Sequence, residues 1–142
     1  MSHTPVDAEH MIVLTTNASD PSLELRKLRR FADGSGFTCE LHVCSHGFCA
    51  QRPFYFSERS FAVALRSLRH MQRELAGEAR FEEEYEHDQF LRFTMRPHGH
   101  ILVSGQLFLF SPDGPNRLSF AFQTDQTCLA PFNDALEPFD KT

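Results

Sequence analysis

Large apolar residues alternate with polar ones along most of this chain, and twice the alternation gives way to helical spacing. Met11 to Thr15 reads as a short first strand. After the turn cluster Asn17-Ala18-Ser19-Asp20-Pro21-Ser22, Leu23, Leu25 and Lys27 alternate with Glu24, Arg26 and Leu28 and predict a second strand. Asp33-Gly34-Ser35-Gly36 turns the chain into Phe37 to Cys44, where Phe37, Cys39, Leu41 and Val43 share one face. The run Phe48 to Phe56 contains Pro53, which has no N–H for a ladder and so marks an edge strand or a bulge. Phe61, Leu65, Leu68, Met71 and Leu75 then step along one side of a helix that begins at Ser57-Glu58-Arg59-Ser60 and closes at Gly77. That helix has about five turns. Its other face carries Arg59, Arg66, Arg69, Arg73 and Glu74 and is expected to be solvated.

The second half repeats the broad order. Ala79, Phe81, Glu83 and Tyr85 share a face of one strand, and Leu91, Phe93 and Met95 share a face of the next, with Phe90 opposite. Pro97-His98-Gly99 turns into a 101–110 strand with apolar residues on both sides, which predicts a central position. Pro112-Asp113-Gly114-Pro115 leads into 116–124, with Leu118, Phe120 and Phe122 inward. Leu129, Phe132, Leu136 and Phe139 recur at helical spacing, and Thr127 is the expected N-cap because it places Pro131 in the first turn, where a missing N–H breaks no helical bond. The order of elements and the short links predict an α+β fold. Its antiparallel sheet or sheets hold about seven or eight strands, with one central and one C-terminal helix. Residues 1–142 fit a single domain, with 1–10 as a loose N-terminal arm.

Composition narrows the class. A 142-residue chain with 41% apolar residues, 15 Phe, no Trp and 2 Tyr can build an ordinary phenylalanine-based core without staples. A net charge of −5 repels phosphate backbones, which argues against nucleic acid as a partner. Met1 to His10 has neither a basic nor an apolar leader segment, and no apolar run approaches the roughly 18 residues of a membrane span. The expectation is a cytoplasmic protein without membrane contact, whose four cysteines (Cys39, Cys44, Cys49, Cys128) are reduced.

Few residues promise chemistry. Cys39, His42, Cys44, His46 and Cys49 cluster within eleven residues and suggest zinc, but the spacing is not that of a knuckle and strand alternation sends Cys39 and Cys44 to opposite faces. Cys128, in a first helical turn, is placed where a thiol pKa can fall, although a thiol there is more often packing. His98 and His100 flank a turn glycine with no carboxylate implied nearby. No phosphate loop or nucleophile elbow is present. Catalytic residues, metal and cofactor are therefore expected to be none. The remaining feature is Glu82-Glu83-Glu84-Tyr85-Glu86-His87-Asp88, whose carboxylates repel one another. They either guard a solvated strand end or form an acidic docking surface, anchored by Tyr85, for a basic protein.

Three segments carry a likeness to a known family: Gly77-Glu78-Ala79-Arg80-Phe81-Glu82, Gly99-His100-Ile101-Leu102-Val103-Ser104-Gly105, and Leu118-Ser119-Phe120-Ala121-Phe122-Gln123-Thr124-Asp125-Gln126-Thr127-Cys128-Leu129. Together they resemble the WapI-type bacterial immunity proteins over about residues 54 to 139. Leu129-Ala130-Pro131 shifts the family's helix-entry proline by one, and the first 35 residues carry no part of the likeness. The resemblance implies a small, non-enzymatic cytosolic protein that binds and neutralises a cognate polymorphic toxin, often a nuclease. It transfers no catalytic residue. Glu82, Glu83, Glu84, Tyr85, Glu86 and Asp88 are the expected partner-binding residues, since an acidic surface suits the basic site of a nuclease. The rival readings are a ligand-binding or self-associating α+β module and a hydrolase using Cys128 or a histidine.

Overall fold

A computed structural model describes residues 11–16, 21–83 and 88–140. Among them are eight strands in two antiparallel sheets and two α-helices, an α+β fold with one helix central and one C-terminal. The first sheet runs in chain order through β1 (Ile12–Leu14), β2 (Ser22–Arg30), β3 (Gly36–Ser45) and β4 (Phe48–Ser57). Helix α1 (Glu58–Glu74) follows, and then the second sheet in the same up-and-down order. Its strands are β5 (Glu78–Glu82), β6 (Phe90–Met95), β7 (His100–Ser111) and β8 (Gly114–Asp125), and α2 (Gln126–Leu136) closes the series. The expected arm at residues 1–10 and most of the 17–22 turn lie outside the described residues.

The strands form where alternation is strict, and the exceptions have local causes. Sequence alternation placed Lys27 beside Leu23 and Leu25 with Leu28 opposite, but Leu28 is buried and Lys27 exposed. Lys27 adopts a left-handed backbone (φ 56°), and the pairing of β2 with β3 shifts register between Arg26 and Arg29. The bulge resets the alternation so that a leucine rather than an ammonium enters the core. Gly105, in the middle of β7, admits two neighbours that a Cβ would meet, the Phe90 carbonyl oxygen at 2.5 Å and the Phe120 ring at 2.8 Å.

Each helix differs from the expectation at one end, the C-terminal end of α1 and the N-terminal end of α2. Ser57 caps α1 by accepting from the Ser60 N–H at 3.0 Å. The apolar series stops at Met71, because Leu75 is the left-handed C-cap and is exposed, turning the chain toward β5. In α2 the cap is Asp125 rather than Thr127. The Asp125 carboxylate accepts from the amides of Thr127 (2.9 Å) and Cys128 (3.3 Å), and Pro131 lies inside the helix. The bond Pro131 cannot make is to the Thr127 carbonyl and is lost with either cap, so the carboxylate that satisfies two orphan amides at the positive helix end decides for Asp125.

Helix α1 lies against β5 and α2 against β1, so each sheet has its first strand covered by the helix that follows the other sheet. The helices touch through Asn133, whose Nδ2 donates to the Leu68 carbonyl (3.2 Å) and to Gln72 Oε1 (2.7 Å). One cluster of buried side chains runs through both sheets and both helices. Its phenylalanines form a chain of ring contacts: Phe37 to Phe56 (5.5 Å), Phe56 to Phe81 (5.3 Å), Phe81 to Phe93 (6.2 Å) and Phe93 to Phe132 (5.8 Å). The phenylalanine surplus thus joins the two halves of the chain. Among the described residues no helix is long and apolar enough to cross a membrane.

Candidate partner-binding surface

The acidic run falls at the junction of β5 and β6, and its carboxylates have different surroundings. Glu82 is half-buried and accepts from Arg80 Nε at 3.0 Å. Glu83 is only 3% exposed. Its carboxylate accepts from Gln89 Nε2 (2.8 Å) and from the Tyr55 amide on β4 (3.2 Å), and Arg52 Nη2 lies 3.8 Å away. The Glu83 N–H donates to the Gln89 carbonyl at 3.1 Å, and Gln89 Oε1 accepts from the Phe108 amide at 2.9 Å. A buried carboxylate persists only when hydrogen bonds and a counter-charge replace its water, and this network supplies both. Glu83 therefore ties the edge of β4 to the β5–β6 junction. Asp88 is exposed, and its backbone carbonyl accepts from Gln106 Nε2 at 3.0 Å. Glu84, Tyr85 and Glu86 lie outside the described residues.

Beside this junction the two sheets part and leave an open slot of about 250 Å³. One wall is Ala50, Gln51 and Arg52 of β4; the other is Leu107, Phe108 and Leu109 of β7 with Asn116, Arg117 and Leu118 of β8. The hairpin tips expose large apolar side chains: Phe48 is 71% exposed, Leu109 53% and Phe110 68%. Two guanidinium groups border the slot. Arg117 lies over the Phe108 ring at 5.6 Å, and among the described residues the buried Arg52 Nε has no hydrogen-bond partner. Arg52 and Phe108 both belong to the slot and to the Glu83–Gln89 network, so the acidic junction and the apolar slot are continuous.

The cysteine and histidine candidates do not converge. Cys39 faces the core, while Cys44 and Cys49 form a disulfide, which corrects the expectation of four reduced thiols. The turn at His46 and Gly47, both with positive φ, sets Cys44 directly opposite Cys49 with Cα atoms 4.1 Å apart, within bonding reach. His42 Nε2 pairs with Glu40 at 3.0 Å, which holds that carboxyl below its usual range. Burial, together with the nearby Glu83 and Glu40, pushes the Cys39 thiol up to about 12, so it is no nucleophile at neutral pH. Cys128 is half-buried in the first turn of α2, and His100 Nδ1 meets Gln123 Nε2 at 3.2 Å on the surface. Among the described residues no group of three or more His, Cys, Asp or Glu side chains could hold a metal ion.

The slot residues Arg52, Leu109 and Arg117 and the exposed hairpin-tip residues Phe48 and Phe110 escape a reading based on acidity or metal ligands. Their signal in the sequence is an apolar residue set directly against a turn, as Phe48 follows Gly47 and Leu109-Phe110 precede Ser111-Pro112-Asp113-Gly114. Core residues do not ordinarily sit at hairpin tips.

Neither a curated protein nor a solved structure matches the chain. A family model does, the immunity protein WapI-like family, over residues 13–138. The match begins at β1 and ends after α2, so it takes in the first meander, where the three sequence motifs gave no sign of kinship. With both sheets and both helices inside that match, the chain belongs to the WapI-like immunity protein family.

Proposed function

We propose that this protein confers immunity by binding a cognate protein toxin, without a catalytic step of its own. The observation that carries this reading is family membership across nearly the whole chain. The net charge of −5 supports a basic partner, such as a nuclease toxin whose nucleic-acid site is positive. Glu82 and Asp88, with Glu84, Tyr85 and Glu86 between them, make the acidic docking surface; Glu83 holds that surface to β4 from within. On this reading the protein acts in the cytoplasm.

Co-expression with the toxic domain encoded immediately upstream, scored by survival and co-purification, tests the reading. Rescue together with a stable complex is expected. Two folded proteins that neither associate nor protect the cell would sink it. Charge reversal of Glu82, Glu84, Glu86 and Asp88 to Lys, which spares the buried Glu83, should slow association by about tenfold or more. An unchanged association rate would remove the acidic run from the interface.

A further inference from the structure

The register of the β3–β4 hairpin determines which backbone groups of β4 face outward. The two-residue turn His46–Gly47 makes Ser45 and Phe48 the closing hydrogen-bonded pair, so Ala50, Arg52, Phe54 and Phe56 also bond to β3. The amides of Cys49, Gln51 and Tyr55 then point away from the sheet, and so does the missing N–H of Pro53. The Tyr55 amide confirms this parity by donating outward to Glu83. Beyond Pro53 the edge is closed by that carboxylate. Before it, the Cys49 and Gln51 amides and the carbonyls of Cys49, Gln51 and Pro53 form a short stretch, at exposed residues, that pairs with no other strand among the described residues.

This stretch runs along the mouth of the apolar slot, and the side chains at that mouth suit a particular occupant. Leu107, Leu109, Leu118 and Ala50 offer an apolar seat. Arg52 and Arg117 stand on opposite walls; Arg52 serves Glu83 through Nη2 at 3.8 Å, and its Nε has no hydrogen-bond partner among the described residues. Two guanidinium groups around an apolar seat complement a carboxylate next to an apolar side chain.

We propose that β4 accepts an extended segment of the toxin as an added strand at Cys49–Pro53, one apolar side chain filling the slot and an adjacent carboxylate meeting Arg52 and Arg117. The proposal rests on the immunity reading above and adds a second contact of opposite polarity to the acidic junction beside it. Main-chain pairing supplies affinity, and the slot with its arginines supplies selectivity. The Glu83 plug and Pro53 limit the pairing to a few residues and protect the remaining edge from unspecific addition.

The experiment uses the full chain and the upstream-encoded toxin domain. Gln51→Pro removes one outward amide and no backbone bond to β3, as Pro53 already does, and beyond that only the side-chain hydrogen bond to the Glu40 carboxylate at the surface, so the variant should melt close to the wild type. It should bind toxin at least tenfold more weakly, and Arg117→Glu should do the same. In the wild-type complex, hydrogen exchange should slow at the Cys49 and Gln51 amides. Toxin affinity within twofold of wild type for both variants, or unchanged exchange at those two amides, overturns the proposal while leaving the immunity reading standing. A wild-type dimer that Gln51→Pro dissociates would assign the edge to a second copy and overturn it as well. A toxin that fails to bind the wild type removes both readings together.

Discussion

The first meander, β1–β4, and the second, β5–β8, each end in a strand that runs straight into a helix, but they protect their edges differently. Helix α1 covers β5 and α2 covers β1, so the opening strand of each sheet is shielded by the other half. The closing strands have no such exchange. Strand β8 is tied back through the buried Thr124, whose hydroxyl donates to the Thr15 carbonyl at 2.7 Å, and the Ser45 hydroxyl donates to the Ala121 carbonyl at 3.3 Å. On β4 a proline and one buried carboxylate serve instead. Shielding is thus a property of the whole molecule, and the least covered edge lies where the sheets part.

The strongest challenge to this picture of two interlocked halves is Phe81→Ala. The Phe81 ring lies between Phe56 of the first half and Phe93 of the second, at 5.3 and 6.2 Å. Truncating a buried phenylalanine costs about 3–5 kcal/mol. The variant should unfold in one transition at clearly lower denaturant, because each helix still packs on the opposite sheet. Two separated transitions in far-UV circular dichroism would show that the halves are independent units.

The helix caps give a finer contrast. Asp125 satisfies two amides and supports a helix that already lacks the hydrogen bond at Pro131, whereas Ser57 satisfies one amide of a longer, uninterrupted helix. Asp125→Ala should therefore cost about 1–2 kcal/mol and Ser57→Ala about 1 kcal/mol or less. Denaturant titration of both variants measures the difference. Equal losses would show that the second captured amide adds nothing.

How much of this was legible in the sequence depended on whether the cause was local. Strict alternation in Phe37 to Val43 and four-three spacing in Phe61 to Met71 fixed a strand and a helix, since each pattern has one way to bury its apolar face. Lys27 defeated the same logic because a bulge depends on the partner strand, and Leu75 did so because the chain had to turn toward β5. Pro131 does not discriminate between Thr127 and Asp125 as caps, because its missing bond to the Thr127 carbonyl is common to both; the two amides that Asp125 collects do. The acidic run was visible as a whole, yet burial of Glu83 alone required β4 and Gln89 to meet it from distant parts of the chain. The slot was invisible for the same reason: its walls belong to different sheets.

The smallest effect at neutral pH concerns Cys39, where the halves meet electrostatically. This thiol on β3 titrates near 9.0 in water, and burial first, then Glu83 of the second half and Glu40 beside it, push it up to about 12. The folded state keeps the proton over a range in which the unfolded state has released it. The contribution to stability is therefore complete below pH 9 and is lost as pH rises from 9 toward 12. Other groups also titrate there, so the informative quantity is the difference from Cys39→Ala. That variant should be less stable than wild type at about pH 8, through the cavity it leaves, and should lose less stability between about pH 8 and about pH 10.5. Glu83→Gln should also flatten the wild-type decline, because removing its charge lowers the folded-state pKa of a thiol on the opposite sheet. If Cys39→Ala and wild type declined in parallel, the thiol would be titrating alike in both states and its burial against the second half would be wrong. If only Glu83→Gln left the slope unchanged, the two halves would share a core but no charge coupling, and the Glu83 contact with β4 would be structural alone.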